Sequence, residues 1–345
     1  MIDTTIDSSS TTLDLGSGAF DLDADQILTG LVAGESFDPL SYVLSSGAPA
    51  AFQFSGSFSS AISAPNTGTI DSVDATITSS GTSTINFNTG GGSVVDGVVA
   101  ANTSSSASST VALGGQINGS ATVNNSTLTH SGSGHGIYLT QSLGTTFTTT
   151  FSFDNNTIAT GTTLNDHAPI TIESSATTSA GVMSGTISNN TISGSHYGIY
   201  IHQNSGFDGQ TTMDIDTKNI SNTINGIFVY QEGVGRADLT ITNNTVSSPL
   251  DVVSNGILFF VGNSTAPTVC ADVTGNTLTS GSSGNSVYFD TYPSTSVILP
   301  GYAGGSTSEA NVRIFVDGNN TATVNSSDIF LDFGATVVDG KCTLP

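Results

Sequence analysis

The sequence predicts an all-β protein built as a stacked solenoid. Two short patterns recur along its C-terminal two thirds, and the stretch from Ser188 to Gly206 contains both: an Asn-Asn-Thr-Ile turn and a later Gly-Ile-Tyr-Ile strand. Successive Asn turns are separated by between 22 residues (Asn222 to Asn244) and 44 residues (Asn276 to Asn320). Fixed motifs joined by loops of variable length are typical of solenoids whose units span about 20 to 45 residues.

Each unit is predicted to hold three short strands. The first precedes the Asn turn and alternates apolar with polar residues, as in Leu239-Thr240-Ile241, which is the pattern of a half-buried strand. The second is the Thr-Ile pair that follows the turn. The third is the Gly-Ile strand, with copies at 137–139, 199–201, 227–229, 257–259, 287–289 and 329–331.

The Asn turn predicts a hydrogen-bonded ladder between coils. Asn suits a tight corner because it tolerates the left-handed backbone conformation and bonds its own backbone locally. Stacked coil on coil, such side chains are expected to bond to one another. The predicted column is Ser126, Asn156, Asn190, Asn222, Asn244, Asn276 and Asn320.

With these motifs the chain resembles the right-handed parallel β-helix proteins of the pectate-lyase-like superfamily, from about Thr110 to the C-terminus. The resemblance implies the fold and an Asn ladder in a short turn. It implies no particular activity, because enzymes, adhesins and phage spikes share this scaffold.

The chain is predicted to divide into an N-terminal lead-in and cap (1–51) and the β-helix (52–345), with its best-defined coils at 123–345. A cap is expected because the end of a solenoid exposes unpaired strand edges. The segment from Leu22 to Leu44 has helical character, with Asp23 or Asp25 placed to start a short helix. The run from Asp21 to Asp25 makes calcium a possible ligand, and no other cofactor is predicted.

Composition limits the partners. The 345 residues include 4 Lys and Arg against 27 Asp and Glu, a formal charge of −23. Nucleic-acid binding needs clustered cations, so this role is excluded, and adsorption on anionic membranes is disfavoured. No apolar run approaches the roughly 20 residues of a membrane span.

The polar composition suits an extracellular or cell-surface protein. The N-terminus lacks the basic and apolar regions of a signal peptide, which favours another export route or a longer secreted chain.

The C-terminal region carries a second resemblance, at 270–278, 299–304, 311–320 and 342–345. These segments are similar to the terminal module of large bacterial secreted β-strand-repeat proteins, in which paired cysteines flank such a region. Cys270 and Cys342 are the only cysteines, 72 positions apart. They predict one disulfide in an oxidising compartment, with two buried thiols in a reduced protein as the alternative.

Alternation assigns the outer surface of the Gly-Ile strands. If Ile199 and Ile201 point inward, Tyr200 and His202 point outward. The first outward column is then Tyr138, Thr171, Tyr200, Phe228, Leu258, Tyr288 and Phe330, and the second is Thr140, Glu173, His202, Tyr230, Phe260, Asp290 and Asp332. We name these two columns the aromatic stripe. Its predicted binding residues are Tyr138, Tyr200, His202, Phe228, Tyr230, Phe260 and Tyr288.

An exposed aromatic stripe predicts that something covers it. A loop of the same chain, a cell-surface protein and a polysaccharide whose sugar faces stack on the rings all remain open. Just beyond the stripe, Gln141, Gln203 and Gln231 would either hydrogen-bond a glycan or close a turn as a ladder.

A polysaccharide hydrolase or lyase on the same sheet is the alternative function. Lyases of the superfamily rely on a Lys or Arg and usually on calcium, and the four cations here lie outside the stripe. Hydrolysis needs paired carboxylates, for which Asp290 and Asp332 are the candidates. Gly134-His135-Gly136 matches one motif of the polygalacturonases, but their Asn-Thr-Asp and Asp-Asp motifs are missing from the stripe.

Two further classes receive less support from the sequence. His135, His196 and His202 lack an acid or cysteine that completes a compact set, so no metal site is predicted. Ice binding needs two ranks of Thr, and the second rank is interrupted, for example at Ala159 and Ser193. We therefore predict an extracellular adhesive or structural β-helix that binds a polysaccharide or a cell-surface protein.

Overall fold

The protein is described by a computed structural model. It describes residues 83–87, 92–105, 108–114, 119–132, 134–141, 148–161, 167–174, 181–247, 249–262, 267–331 and 334–342. Before residue 83 it describes the backbone of short strands.

The predicted all-β solenoid is confirmed. Three parallel sheets of eleven strands form a β-helix, because each coil contributes one strand to each sheet and pairs it with the equivalent strand of the next coil. The first sheet contains Leu13–Asp14, Phe52–Gln53, Thr76–Ser79, Val99–Asn102, Thr127–His130, Thr157–Thr160, Thr191–Ser193, Asn219–Ser221, Thr245–Ser247, Thr277–Leu278 and Thr321–Ala322.

The other two sheets follow in each coil. The second sheet contains Phe20–Asp21, Ser60–Ala64, Ser83–Phe87, Ser109–Leu113, His135–Gln141, Ile170–Ser174, Tyr197–Gln203, Asn225–Gln231, Ile257–Val261, Val287–Thr291 and Asp328–Leu331. The third contains Gln26–Thr29, Gly68–Asp71, Ser93–Asp96, Gly119–Asn124, Thr148–Asp154, Val182–Ser188, Gln210–Asp216, Arg236–Thr242, Thr268–Thr274, Ser296–Ile298 and Thr336–Val338. Ser36–Phe37 pairs antiparallel with Tyr42–Val43.

The hydrophobic core fills the space between the three sheets. Every second residue of a strand points inward, and Ile187, Ile192 and Ile199 bring one coil's three sheets together as fully buried side chains. Equivalent residues stack between coils, as Phe259 and Phe289 do with ring centroids 4.1 Å apart. One continuous core therefore runs along the described coils.

The Asn ladder is present between the third and first sheets. The Oδ1 of Asn190 accepts from the backbone N–H of Asn156 at 2.9 Å, and the Nδ2 of Asn190 donates to the Phe153 carbonyl at 2.8 Å. The same interactions join Asn244 to Asn276 and Asn276 to Asn320. Asn190 thereby satisfies a backbone N–H and a backbone C=O group of the preceding coil, which no apolar side chain can do.

One member of the predicted ladder is wrong. Asn222 is exposed with a φ of 54°, and the buried side chain in its coil is that of Thr217. The hydroxyl and the backbone N–H of Thr217 both donate to Asn244 Oδ1 at 2.7 Å. A hydroxyl thus takes the place of the amide in the link to the following coil.

A second Asn ladder at the corner before the second sheet was not predicted. The backbone N–H of Asn255 donates to Asn225 Oδ1 at 3.0 Å, and that of Asn285 donates to Asn255 Oδ1 at 2.8 Å. Gly226 follows the first of these residues, and a Cβ there would lie 2.4 Å from the Gly256 carbonyl oxygen. Glycine therefore starts the strand because successive coils approach too closely for a side chain.

The helix is found at the opposite end of the chain from its predicted position. The predicted helix within Leu22 to Leu44 is wrong, since Gln26–Thr29 is a strand; residues 22–25, with most of the possible calcium loop, lie outside the described residues. The observed helix is Glu309–Asn319, with Ser308 as its N-cap. Its buried Val312 and Val316, spaced four residues apart, join the hydrophobic core beside the last coil.

This helix covers the edge of the last second-sheet strand. Glu309 Oε1 accepts the Leu331 N–H at 2.9 Å, and Asp317 Oδ1 accepts the Ser327 N–H at 2.8 Å. In the third sheet, the N–H of Val337 donates to the Ser306 carbonyl at 2.8 Å. Exposed strand edges promote pairing with other chains. These contacts therefore cover strand edges at the C-terminal end of the β-helix.

The predicted disulfide is confirmed. Cys270 and Cys342 are bonded, with their Cα atoms 5.3 Å apart. The bond fixes the C-terminal segment near Asp238, which is fully buried and paired with both Nε and Nη2 of Arg236 at 2.8 and 2.7 Å. The hydrogen bonds to Asp238 raise the pKa of Arg236.

Replacing Asn190 by Leu is expected to lower the free energy of unfolding by about 1–3 kcal/mol, because buried backbone groups lose their partners. The control is Asn222→Gly, which changes an exposed residue with a left-handed backbone that Gly also adopts, and should cost less than about 0.5 kcal/mol. Chemical denaturation measures both. Equal effects would show that Asn190 does not belong to the ladder.

Replacing Arg236 by Met is expected to destabilise the protein by about 3 kcal/mol, since the buried Asp238 carboxylate is left without its counter-charge. Arg313→Met on the exposed surface of the helix is the matched control, expected within about 0.5 kcal/mol of wild type. Thermal and urea unfolding curves would contradict this assignment if the two variants were equally stable.

Candidate binding surface on the second sheet

The register confirms the two outward columns of the aromatic stripe through residue 290. In the first column each residue pairs with the next, in the order Tyr138, Thr171, Tyr200, Phe228, Leu258 and Tyr288. In the second column the order is Thr140, Glu173, His202, Tyr230, Phe260 and Asp290. Residues far apart in sequence thus lie one strand spacing apart on a single surface.

The last coil departs from the predicted register by two residues. Asp290 pairs with Phe330, and Tyr288 pairs with Asp328. Phe330 therefore occupies the position equivalent to Asp290, and Asp332 lies outside the described residues, so the predicted pair of Asp290 and Asp332 is not tested. The helix before this strand sets the new register, because Asp317 holds the Ser327 N–H immediately before the strand begins.

Four rings of the stripe form one stacked block. Tyr200 and Phe228 have centroids 5.2 Å apart and planes 15° apart, and His202 and Tyr230 have centroids 5.0 Å apart and planes 8° apart. Phe260 stands at 77° to Phe228 and 66° to Tyr230. The rings of the block thus cover one another's faces, and Phe260 is turned across them.

The stripe is partly a second small core. Phe228 and Leu258 are buried against Ala168 and Tyr197, residues of the same chain. The predicted exposure of Phe228 is therefore wrong, and a covering segment of the chain accounts for this part of the stripe. Four aromatic residues around this core remain half-buried and reach solvent: Tyr200, Tyr230, Phe260 and Tyr288.

Two carboxylates, those of Glu173 and Glu232, contact the tyrosine hydroxyls and the imidazole of the stripe. Tyr230 donates its hydroxyl to Glu232 at 2.7 Å, and Glu232 also contacts His202 Nε2 at 2.9 Å. On the other side of His202, Glu173 lies 3.9 Å from Nδ1 and accepts the Tyr138 hydroxyl at 2.7 Å. Glu232 was not predicted, because it follows the strand and the alternation rule does not extend to it.

The tyrosine hydroxyls of the stripe stay protonated at neutral pH. Burial, followed by the hydrogen bond to Glu232, raises the pKa of Tyr230 to about 12. Burial and the Glu173 hydrogen bond raise the pKa of Tyr138 further above its ordinary value. Burial and the nearby Asp290 also raise the pKa of Tyr288. These groups therefore serve as neutral hydrogen-bond donors.

The three glutamines beyond the stripe do not reach solvent. Gln141, Gln203 and Gln231 are all buried. The Nε2 of Gln231 donates to the carbonyls of Gly233 and Gly235 at 3.2 and 3.3 Å. Direct hydrogen bonds from these side chains to a glycan are therefore excluded, and Gln231 closes the following turn.

A buried Ser–His pair near the stripe is not arranged for nucleophilic catalysis. His130 Nε2 lies 2.7 Å from Ser108 Oγ, while His130 Nδ1 accepts the Gly132 N–H at 3.0 Å. A neutral imidazole whose Nδ1 accepts must carry its proton on Nε2, so His130 donates to Ser108 and does not act as its base. Burial also lowers the pKa of His130.

His135 packs among neighbouring side chains at the edge of the stripe. Its Nδ1 lies 2.8 Å from Thr171 Oγ1, and its ring stacks on Tyr138 with centroids 4.6 Å apart. Burial, together with the neighbouring His167, lowers the pKa of His135 to about 3. His135 is therefore a neutral imidazole over the physiological pH range.

Other candidate sites are limited. Among the described residues, one set of three metal-ligating side chains has all donor atoms within 4.8 Å, namely Asp238, Cys270 and Cys342, but the disulfide consumes both thiols. Ice binding would require a second rank of Thr on the first sheet. The residues paired at that position are Ala159, Ser193, Ser221 and Ser247, none of which is Thr. No helix in the described ranges is long and apolar enough to cross a membrane.

Comparison with known proteins gives no relative: no family model, no curated protein and no solved structure matches this chain. The parallel β-helix is therefore established by the structure, and the two resemblances noted in the sequence rest on their motifs.

Phe228→Ala is expected to cost about 3 kcal/mol of unfolding free energy, because it leaves a cavity in the second small core. Phe330→Ala on the same sheet is the matched control, because that ring is 53 % exposed, and a change within about 0.5 kcal/mol is expected. Urea unfolding of the two variants decides whether Phe228 is a core residue or a surface ring.

Proposed function

We propose that this protein is an extracellular, non-enzymatic β-helix module that binds a neutral polysaccharide along the aromatic stripe. The observation that carries the proposal is the association, on one sheet, of half-buried rings with carboxylates. Ring faces and edges pack against the apolar sides of sugars, and carboxylates accept hydrogen bonds from sugar hydroxyls. The outward residues of the first sheet are mostly Thr and Ser.

The charge of the stripe favours a neutral ligand. Glu173, Glu232 and Asp290 lie on or beside it, and all four cations of the chain lie elsewhere: Lys218 in a turn, Arg236 on the third sheet, Arg313 in the helix and Lys341 near the C-terminus. An anionic polysaccharide or nucleic acid would meet uncompensated repulsion. A cell-surface protein would need a basic surface to bind here.

Ring orientation indicates where sugars would pack. Within the stacked block the ring faces are covered by neighbouring rings, so mainly ring edges remain for a ligand. Phe260 is turned by 66° to 82° relative to Tyr230, Phe228 and Tyr288 and interrupts this stacking. We therefore assign Phe260 and the adjoining Tyr230 as the central contacts.

The observed register does not support the enzymatic alternative, because Asp290 pairs with Phe330 in the next coil and not with a second carboxylate. Glu173 and Glu232 are instead both engaged by His202 and a tyrosine hydroxyl. The disulfide and the charge of −23 support an extracellular or cell-surface location.

The test is binding of purified protein to an array of neutral, acidic and amino polysaccharides, followed by titration of a soluble oligosaccharide from any positive class. Binding to a neutral glycan is expected, and Phe260→Ala and Tyr230→Ala should each weaken it about fivefold or more. Val182→Ala, an exposed apolar residue of the third sheet, is the matched control and should leave affinity unchanged.

Two outcomes would contradict the proposal. Absence of binding to every neutral glycan, with capture of a basic protein through the same residues, would assign the surface to a protein partner. Release of reducing sugars from a bound polysaccharide would show that the module is an enzyme.

A further inference from the structure

We propose that Asp238, Cys270 and Cys342 form a binding site for a thiolate-binding divalent cation such as Zn²⁺ when the disulfide is reduced, so that oxidation closes the site and reduction opens it. The sequence alone predicted no metal site, because no motif in it places Asp238 beside the two cysteines. The site belongs to the third sheet and the C-terminal segment, and it does not depend on glycan binding along the aromatic stripe.

The register of the third sheet brings the first two ligands together. Asp238 and Cys270 are paired residues of the adjacent strands Arg236–Thr242 and Thr268–Thr274. The residues on either side of each belong to the hydrophobic core, so both side chains point to the outer face of the sheet. Both are nevertheless fully buried. The C-terminal segment covers this face, since Cys342 is bonded to Cys270.

Three donor atoms of this group lie close enough to share one cation. A carboxylate oxygen of Asp238 and the sulfurs of Cys270 and Cys342 are all within 4.8 Å of one another. Two thiolates bound to one tetrahedral Zn²⁺ at about 2.3 Å have their sulfurs about 3.8 Å apart. Once the S–S bond is broken, Cys342 can take up this separation without disturbing a sheet, because it lies beyond the last strand, Thr336–Val338.

Arg236 and Gln210 hold the carboxylate in place. Asp238 accepts hydrogen bonds from Nε and Nη2 of Arg236 at 2.8 and 2.7 Å and from Nε2 of Gln210 at 3.0 Å. Carboxylates that bind metals are themselves oriented by hydrogen bonds of this kind. Two thiolates and one carboxylate carry three negative charges, which a divalent cation and the Arg236 guanidinium together balance. Without the cation, thiolates beside a buried carboxylate are disfavoured by their like charge.

The ligand set selects the class of cation. Thiolate sulfur favours Zn²⁺ and its spectroscopic substitute Co²⁺, whereas Mg²⁺ and Ca²⁺ prefer oxygen ligands. Reduction by a thiol breaks the S–S bond of the protein: the thiol gives up two electrons and becomes a disulfide, and each protein sulfur takes a proton. The cation displaces both protons on binding, and water completes the coordination. Oxidation by a disulfide takes the two electrons back, re-forms the S–S bond and releases the cation.

The test compares two states of the full chain without a polyhistidine tag: oxidised, and reduced with dithiothreitol that is then removed under nitrogen. Titration with CoCl2 and ZnCl2 should give one site per reduced chain, with thiolate-to-cobalt charge-transfer absorption, and no such site in the oxidised chain. Cys342→Ser and Asp238→Asn should each weaken binding to the reduced chain at least tenfold. Asp272→Asn, on the same strand as Cys270 but outside the group of close donor atoms, is the matched control and should leave affinity unchanged.

A second measurement separates loss of the site from loss of folding. ZnCl2 should raise the melting temperature of the reduced wild type and of reduced Asp272→Asn but not that of Cys342→Ser, because a ligand of the folded state stabilises it. Cys342→Ser alters a residue outside the sheets, so it decides the proposal if Asp238→Asn does not fold. Equal binding by the oxidised and reduced chains, absence of the cobalt charge-transfer band from the reduced chain, or unchanged affinity in folded Asp238→Asn would overturn the proposal.

Discussion

The fold depends on satisfying the backbone where the chain turns from one sheet to the next. A turn buried beneath neighbouring coils leaves N–H and C=O groups that water does not reach, and each unpaired group would cost about 1–3 kcal/mol. Asn190 solves this by accepting from Asn156 and donating to Phe153. Because this bonding is specific to one alignment, the ladder also sets the register of successive coils. The register in turn determines which side chains form columns on the surface.

The low number of cations makes charge a strict constraint on this chain. With 27 acids and 4 Lys and Arg, nearly all carboxylates must be solvated or paired with neutral donors. Glu173 and Glu232 accept tyrosine hydroxyls, and Glu309 and Asp317 accept N–H groups at the last strand edge. Asp238 differs because it is fully buried, and it is paired with a guanidinium at both oxygens. Carboxylates thus act here as caps and hydrogen-bond acceptors more than as partners of cations.

Sequence patterns predicted the parts of the structure that repeat. Every coil has the same inward-facing positions and the same turns, so the same residue types recur at them. The columns through Asp290 followed from alternation and from the Gly-Ile strands alone. Asn222 was assigned wrongly because a motif match does not reveal which of two neighbouring turns is buried. The register of the last coil was predicted wrongly because the helix Glu309–Asn319 interrupts the repeat just before it. The Ser308 N-cap and the i, i+4 pair Val312 and Val316 were a readable helix signal that the repeat pattern obscured.

The functional surface was less predictable than the fold for a physical reason. Alternation tells which residues point outward, but it does not tell whether other segments then cover them, as Ala168 and Tyr197 cover Phe228. Contacts made by residues outside the strands, such as Glu232 and His167, depend on loop conformations that no period encodes.

Stacking also changes what the aromatic stripe can do. Rings that pack on one another within the block are already ordered, so a ligand would cost little further side-chain entropy on binding. Under the proposed function, the same stacking would remove ring faces from the ligand and shift sugar packing towards the turned ring of Phe260. From Tyr138 to Tyr288 the stripe crosses five strand spacings, about 24 Å, and beyond it Asp328 and the edge-covering helix end the surface. An acidic surface of this length supports the proposed ligand, an extended, uncharged chain lying along the axis, over a compact ligand in a pocket.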